Sequence, residues 1–128
     1  MSEAADTPFS RLGGETAVRE LVDRFYDLMD LEPAYAGLRR LHPTSLDGSR
    51  DKLFWYLCGW FGGPNHYIER FGHPRLRARH LPYAIGTDER DQWLACMTQA
   101  MRERGLDPLL SARLLEAFSG LADWMRNR

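Results

Sequence analysis

The sequence lacks most features that mark secreted, membrane-spanning or nucleic-acid-binding proteins. Its two cysteines, Cys58 and Cys96, have no CxxC spacing, so we expect buried free thiols and no disulfide framework. No apolar run approaches the roughly 18–20 residues of a membrane span. Seventeen basic residues against eighteen acidic ones disfavour nucleic-acid binding, because that affinity comes mostly from phosphate neutralisation. The first ten residues carry no apolar stretch of the kind a targeting segment needs, so we expect a cytoplasmic location.

The composition instead favours one folded domain. The chain has 128 residues, of which 44% are hydrophobic and 12% aromatic, and this is enough to build a core without a disulfide or metal. We find no repeat, linker or low-complexity tract. We therefore expect a single domain over residues 1–128, in which residues 1–11 form a loosely ordered N-terminal extension.

Apolar residues recur at three- and four-residue steps almost throughout, which predicts an all-α fold. No segment alternates with period two. We expect about four long helices and two or three short ones, with a loop over residues 65–72. Two long helices are predicted over about residues 15–29 and 46–61. A third is predicted to begin at an N-cap at Thr87 or Asp88 and to end at Gly105, and a fourth begins at an N-cap at Asp107. A short helix is predicted between Pro74 and Pro82.

Four histidines occur, but none has zinc-site spacing with another ligand. His80 is the most informative, because it ends a helix too short to be stable alone, so something must hold that helix in place. The imidazole could meet the negative end of the helix dipole, or it could ligate a metal or haem iron.

Two further side chains carry hydrogen-bond donors on apolar helix faces. Tyr26 and Trp93 need partners if they are buried, either backbone carbonyls or a ligand in a pocket. The aromatic cluster at residues 54–61 suits plain core or the walls around a large flat ligand. The alternating Arg75, Arg77 and Arg79 suit a solvated surface or a ligand carboxylate.

Five blocks in order resemble the bacterial truncated (two-over-two) haemoglobins, and among them group II, the O-type. They are RFY at residues 24–26, LHP at 41–43, WFGGP at 60–64, FGHPRLRARHLPYAIG at 71–86 and ERDQWLACM at 89–97. The resemblance covers about Leu12 to Trp124. It implies a truncated globin fold, a two-over-two helical sandwich around haem b.

The resemblance also implies roles for single residues. His80 matches the proximal histidine that binds haem iron, and Tyr26, Trp93 and His42 match positions of the distal pocket. Ser49 stands where many globins carry histidine, which shifts ligand stabilisation onto those three residues. Leu53 matches a second pocket position of the distal helix, one turn after Ser49. The other implied haem contacts are Lys52, Tyr67 and Arg79 with the propionates, and Phe54, Tyr56 and Leu57 on or near the haem-facing side.

The implied function is binding of O2, CO, NO or peroxide at a pentacoordinate iron in a polar distal pocket. Several donors predict slow oxygen release, which favours redox chemistry, sensing or detoxification over bulk transport. Nitric oxide dioxygenase or peroxidase-like turnover would need an external reductase, because no flavin or nicotinamide motif is present. His42 predicts pH-dependent oxygen release between about pH 5 and 8.

Two alternatives remain open. The chain could be a haem-less helical interaction or sensor module, which should lack His80 or the pocket donors. It could be a nucleic-acid-binding helical domain, but only residues 75–79 offer a basic stretch. We expect neither a nucleic-acid nor a membrane partner, and a monomer or homodimer.

Overall fold

The computed structural model describes residues 7–128, in which every regular element is helical. The prediction of an all-α chain is therefore confirmed. The helices are α1 (Pro8–Leu12), α2 (Glu15–Leu31), α3 (Ala36–Arg39), α4 (Asp47–Trp60), α5 (His66–Phe71), α6 (Leu76–His80), α7 (Thr87–Glu103) and α8 (Pro108–Met125), with a 3-10 turn at Pro33–Tyr35 before α3.

The four long helices build the core. Helix α2 packs against α4 and α7, and α7 packs against α8. Their apolar stripes meet in a cluster that includes Val18, Leu21, Val22, Phe25 and Met29 of α2, Leu57 and Cys58 of α4, Met97, Ala100 and Met101 of α7, and Leu114 and Phe118 of α8. No helix in residues 7–128 is long and apolar enough to cross a membrane.

The predicted loop over residues 65–72 contains a helix instead, α5, which is six residues long. Its buried side chain is Tyr67, whose ring lies 4.9 Å from that of Phe71 and 6.3 Å from that of Tyr56. So short a helix is not stable on its own. Aromatic contacts with α4 hold it, and these contacts are not visible in the local sequence.

Part of the expected loose extension is also a helix, α1. The Thr7 hydroxyl accepts a hydrogen bond from the Ser10 N–H at 3.2 Å and caps it. The Phe9 N–H donates to the Phe61 carbonyl at 2.9 Å, which ties α1 to the end of α4. The prediction for residues 1–6 lies outside the described residues.

Helix α6 begins two residues later than predicted. Arg75 precedes it with a φ of 47°, in the left-handed region that non-glycine residues rarely adopt. Pro74 therefore belongs to the turn before the helix and not to its first turn.

The start of α7 also differs, whereas that of α8 is as predicted. Gly86 is the N-cap of α7, and the Glu89 carboxylate accepts from its N–H at 2.7 Å, so neither Thr87 nor Asp88 caps the helix. Asp107 caps α8, since its carboxylate accepts from the backbone N–H three residues on at 3.0 Å.

Candidate functional site

A cavity of about 530 Å³ opens among α2, α4, α6, α7 and the end of α8. That volume lies in the range of roughly 300–1,000 Å³ found for ligand and cofactor sites. Most of the predicted site residues line it, from elements far apart in the sequence: Tyr26, His42, Ser49, Lys52, Leu53, Tyr56, Tyr67, Arg79, His80 and Trp93.

His80 lies on the cavity wall at the end of α6, half-buried. Its Nδ1 is 2.6 Å from the carbonyl oxygen of Leu76. A carbonyl only accepts, so Nδ1 carries the proton and donates it. In the neutral imidazole this tautomer leaves the lone pair on Nε2, which is the arrangement of a metal-ligating histidine.

Tyr26 on α2 and Trp93 on α7 both contact Phe25, whose ring is 5.0 Å from that of Tyr26 and 5.2 Å from that of Trp93. Both line the cavity. Within residues 7–128, neither the Tyr26 hydroxyl nor the Trp93 indole N–H has a hydrogen-bond partner. Burial raises the pKa of the Tyr26 phenol, so the hydroxyl stays protonated. The cavity thus contains two donors available to a ligand.

His42 lies next to Tyr26, with ring centroids 5.9 Å apart in an edge arrangement. Its Nδ1 donates to the Leu38 carbonyl at 3.0 Å, so Nε2 is an acceptor. Burial lowers the pKa of His42 below its usual 6.5 against the opposing effect of the hydrogen bond to Leu38, and the charge of Arg39 lowers it further. Its titration therefore shifts towards the acidic end of the predicted window.

Two cationic side chains lie at the cavity wall, and neither forms an ion pair with a carboxylate of the described residues. Lys52 on α4 forms no ion pair there, and the Arg79 guanidinium donates only to the Pro74 carbonyl, at 2.8 Å. Tyr67 lines the same cavity from α5. Such groups suit the carboxylates of a ligand whose apolar part is enclosed.

Two residues expected on the haem-facing side lie elsewhere. Phe54 stacks against His66 at 6.3 Å, under the Arg19 guanidinium at 5.5 Å, and Leu57 is fully buried in the core. The reason is helical geometry. The cavity face of α4 runs through positions 49, 52, 53 and 56, and Phe54 and Leu57 fall outside it.

Sequence reasoning missed about half of the lining. Leu121 and Met125 line the cavity from the end of α8, where the apolar stripe of that helix continues past the core. The other unpredicted lining residues are Leu38, Leu41, Pro43, Leu76, Tyr83, Ile85, Glu89, Arg90 and Ala122.

These groups together fit haem. The cavity offers a largely apolar lining, the imidazoles of His80 and His42, two donors without a partner among residues 7–128, and two cations for propionates. Residues 7–128 contain no cluster of three or more His, Cys, Asp or Glu that could hold a metal ion. A single imidazole suits an iron whose equatorial ligands come from a porphyrin.

Comparison with known proteins agrees with this fit. Residues 7–127 match the family model of the bacterial-like globins. The group II 2-on-2 haemoglobin of Agrobacterium tumefaciens superposes with a TM-score of 0.94 at 42% identity, over 99% of this chain and 98% of that one. The truncated oxygen-avid haemoglobin of Bacillus subtilis superposes with a TM-score of 0.87 at 34% identity, over 95% and 100%.

A curated relative gives the same result from sequence alone. The group 2 truncated haemoglobin YjbI of Bacillus subtilis (strain 168) is 37% identical over 107 residues, which are 84% of this chain and 78% of the relative. The chain therefore belongs to the bacterial-like globins as a group II truncated haemoglobin, a class of haem proteins that bind oxygen.

Proposed function

We propose that this chain binds haem b in the cavity through His80 and binds a diatomic gas at the open position of the iron. The observation that carries the proposal is the 2.6 Å hydrogen bond from His80 Nδ1 to the Leu76 carbonyl. It fixes the tautomer of the neutral imidazole in which Nε2 is the free ligand atom. Haem, when bound, supplies an iron with one open position for O2, CO or NO.

Tyr26 and Trp93 supply the polar side of the cavity. Each directs no hydrogen bond to another group among residues 7–128, and each lines the cavity. Donors in a dry site favour a ligand on which negative charge accumulates, as it does on oxygen. This arrangement supports tight oxygen binding, and the oxygen-avid relative is similar in fold. It favours redox chemistry, sensing or detoxification over bulk transport.

Turnover by this site would need electrons from outside the chain. Nitric oxide dioxygenase and peroxidase-like activity both remain predictions that require a separate reductase. The cytoplasmic location and the monomeric or homodimeric state also remain predictions. Lys52 and Arg79 would anchor the propionates at the cavity wall.

Haem titration followed by absorption spectroscopy tests the proposal. The ferric, dithionite-reduced and carbonmonoxy forms should show globin-like bands at one haem per chain. His80→Ala should lose or shift these bands. His66→Ala is the matched control, because His66 pairs with Glu15 at 3.2 Å and does not line the cavity. Absence of specific haem uptake by the wild type would support the haem-less module instead.

A further inference from the structure

Helix α6 is five residues long and ends on His80. The segment after it gains little from burial, because Leu81 is 56% exposed and Tyr83 is 46% exposed. Its local backbone hydrogen bonds are few: Leu81 N–H to Ala78 at 3.4 Å and Tyr83 N–H to His80 at 3.0 Å. A helix this short and this exposed needs an external anchor.

The anchor comes from residues 126–128, which follow α8 and which we name the 126–128 clasp. The Asn127 side chain joins three points of the His80 segment. Its Oδ1 accepts from the Ile85 N–H at 3.0 Å, and its Nδ2 donates to the carbonyls of Tyr83 at 2.8 Å and His80 at 3.4 Å.

The backbone of the clasp adds two more bonds. The N–H groups of Asn127 and Arg128 both donate to the Ile85 carbonyl, at 2.8 and 3.1 Å. Asn127 therefore binds both polar backbone groups of Ile85: its side-chain Oδ1 accepts from the Ile85 N–H, and its backbone N–H donates to the Ile85 carbonyl. Together these hydrogen bonds hold residues 80–85 against the residues that follow α8.

A second set of bonds ties α6 itself to the same end of α8. The Arg77 guanidinium donates to the carbonyls of Trp124 at 2.6 Å and Arg126 at 3.2 Å, and it lies 5.4 Å from the Trp124 ring. The Arg126 guanidinium donates to the Thr87 hydroxyl at 3.2 Å. The clasp thus contacts the chain before and after His80.

We propose that Asn127 is a positioning residue for the haem ligand: the 126–128 clasp holds the segment that carries His80 in place before haem binds. This inference rests on the proposed function, in which His80 binds the iron. Asn127 does not reach the imidazole; it acts through the backbone that carries it. An amide is required, because only an amide offers an acceptor to Ile85 and donors to Tyr83 and His80 at once. Groups that orient a metal ligand commonly change metal affinity about 10–100-fold when removed.

The first test uses the haem-free protein. Amide hydrogen exchange of Ile85 should be faster in Asn127→Ala than in the wild type, because its N–H loses its acceptor. Arg128→Ala is the matched control. Its side chain makes no hydrogen bond or ion pair among residues 7–128, and its backbone bond to Ile85 is kept. Equal protection of Ile85 in Asn127→Ala and Arg128→Ala would overturn the proposal.

The second test uses the haem-loaded protein. We expect haem transfer to an apomyoglobin acceptor to become about tenfold faster or more in Asn127→Ala. We also expect a shifted or broadened iron–histidine stretching band in the reduced form, which a loss of general stability would not produce. Asn127→Asp keeps the acceptor and loses the donors, so its rate of haem transfer should lie between those of the wild type and Asn127→Ala. This variant also serves as the test if Asn127→Ala does not fold.

The outcomes separate the two proposals. A wild type that takes up no haem contradicts the proposed function. A wild type that binds haem normally, with Asn127→Ala and Asn127→Asp matching Arg128→Ala in haem loss and in the iron–histidine band, contradicts the role of Asn127 alone.

Discussion

Two histidines of the cavity are held in the same tautomer by the same kind of bond. His80 donates from Nδ1 to the Leu76 carbonyl and His42 donates from Nδ1 to the Leu38 carbonyl, each four residues back in the chain. In both, Nε2 keeps its lone pair. Under the proposed function, the same tautomer would make Nε2 of His80 the iron ligand and Nε2 of His42 an acceptor beside Tyr26.

The stability of the haem-free protein should depend on His42 in mildly acidic solution. Burial lowers the pKa of His42 in the folded state, so below the unfolded value of about 6.5 the unfolded chain binds the proton more readily. Stability contributed by the neutral imidazole is present above pH 6.5 and falls as pH drops towards the folded pKa. Urea unfolding of wild type and His42→Phe from about pH 7.5 to 5 measures it.

We expect the wild type to lose stability over this range more steeply than His42→Phe. Parallel curves for wild type and His42→Phe would show that His42 does not titrate differently in the folded state.

The two cysteines should be unreactive in the native protein. Burial raises the pKa of the Cys58 thiol to about 11 and that of Cys96 to about 12. Both are fully buried, and Cys96 donates to the Phe25 carbonyl at 3.2 Å. Since the thiolate is the nucleophile, iodoacetamide at about pH 8 should label neither until denaturant is added. Rapid labelling of the native chain would contradict their burial.

At the scale of elements, the predictable helices are those with a long apolar stripe and a marked end. Helices α2, α4, α7 and α8 have both, and the Asp107 cap was identified from its residue type alone. Helices α1 and α5 were missed, because helices this short depend on contacts with α4 and the residues that follow it. Tertiary contacts of this kind leave no periodic signal in a segment of five or six residues.

The contact of α1 with the end of α4 can be tested at Gly63. A Cβ added there would lie 2.5 Å from the Phe9 ring, so the ring or the whole of α1 must move. We expect Gly63→Ala to lower the free energy of unfolding by about 1–3 kcal/mol, as overpacking does. Gly48→Ala is the control, because a Cβ at that position of α4 meets nothing within 4 Å. It should be neutral or slightly stabilising. Equal urea midpoints for the two variants would contradict the contact.

At the scale of the whole molecule, the aromatic rings of the cavity wall and those of the core form one continuous series of contacts. The ring of Trp93 lies 5.2 Å from that of Phe118, which lies 4.9 Å from Trp60. Tyr26 joins the same series through Phe25. The donors of the cavity are therefore fixed by the packing of α2, α4, α7 and α8 on one another.

This arrangement explains which site residues the sequence could predict. His80, Tyr26 and Trp93 stand in motifs that resemble a known family, and their chemistry is apparent in single residues. Phe54 and Leu57 do not line the cavity, because the rotation of α4 about its axis depends on packing. Asn127 carries no motif, and only its contacts with the distant residues 80–85 show its position.

The central claim is that Tyr26 and Trp93 offer free donors to a gas bound in the cavity, and the rate of oxygen release measures it most directly. Stopped-flow replacement of oxygen by CO on the reduced, haem-loaded protein should give slow release for the wild type. Tyr26→Phe and Trp93→Phe should each release oxygen about tenfold faster or more, since a hydrogen bond to a charged group contributes roughly 1.5–3 kcal/mol. Tyr35→Phe is the matched control, because the Tyr35 hydroxyl donates to Gln99 at 2.6 Å and does not line the cavity. Release rates of both cavity variants equal to that of Tyr35→Phe would contradict the claim.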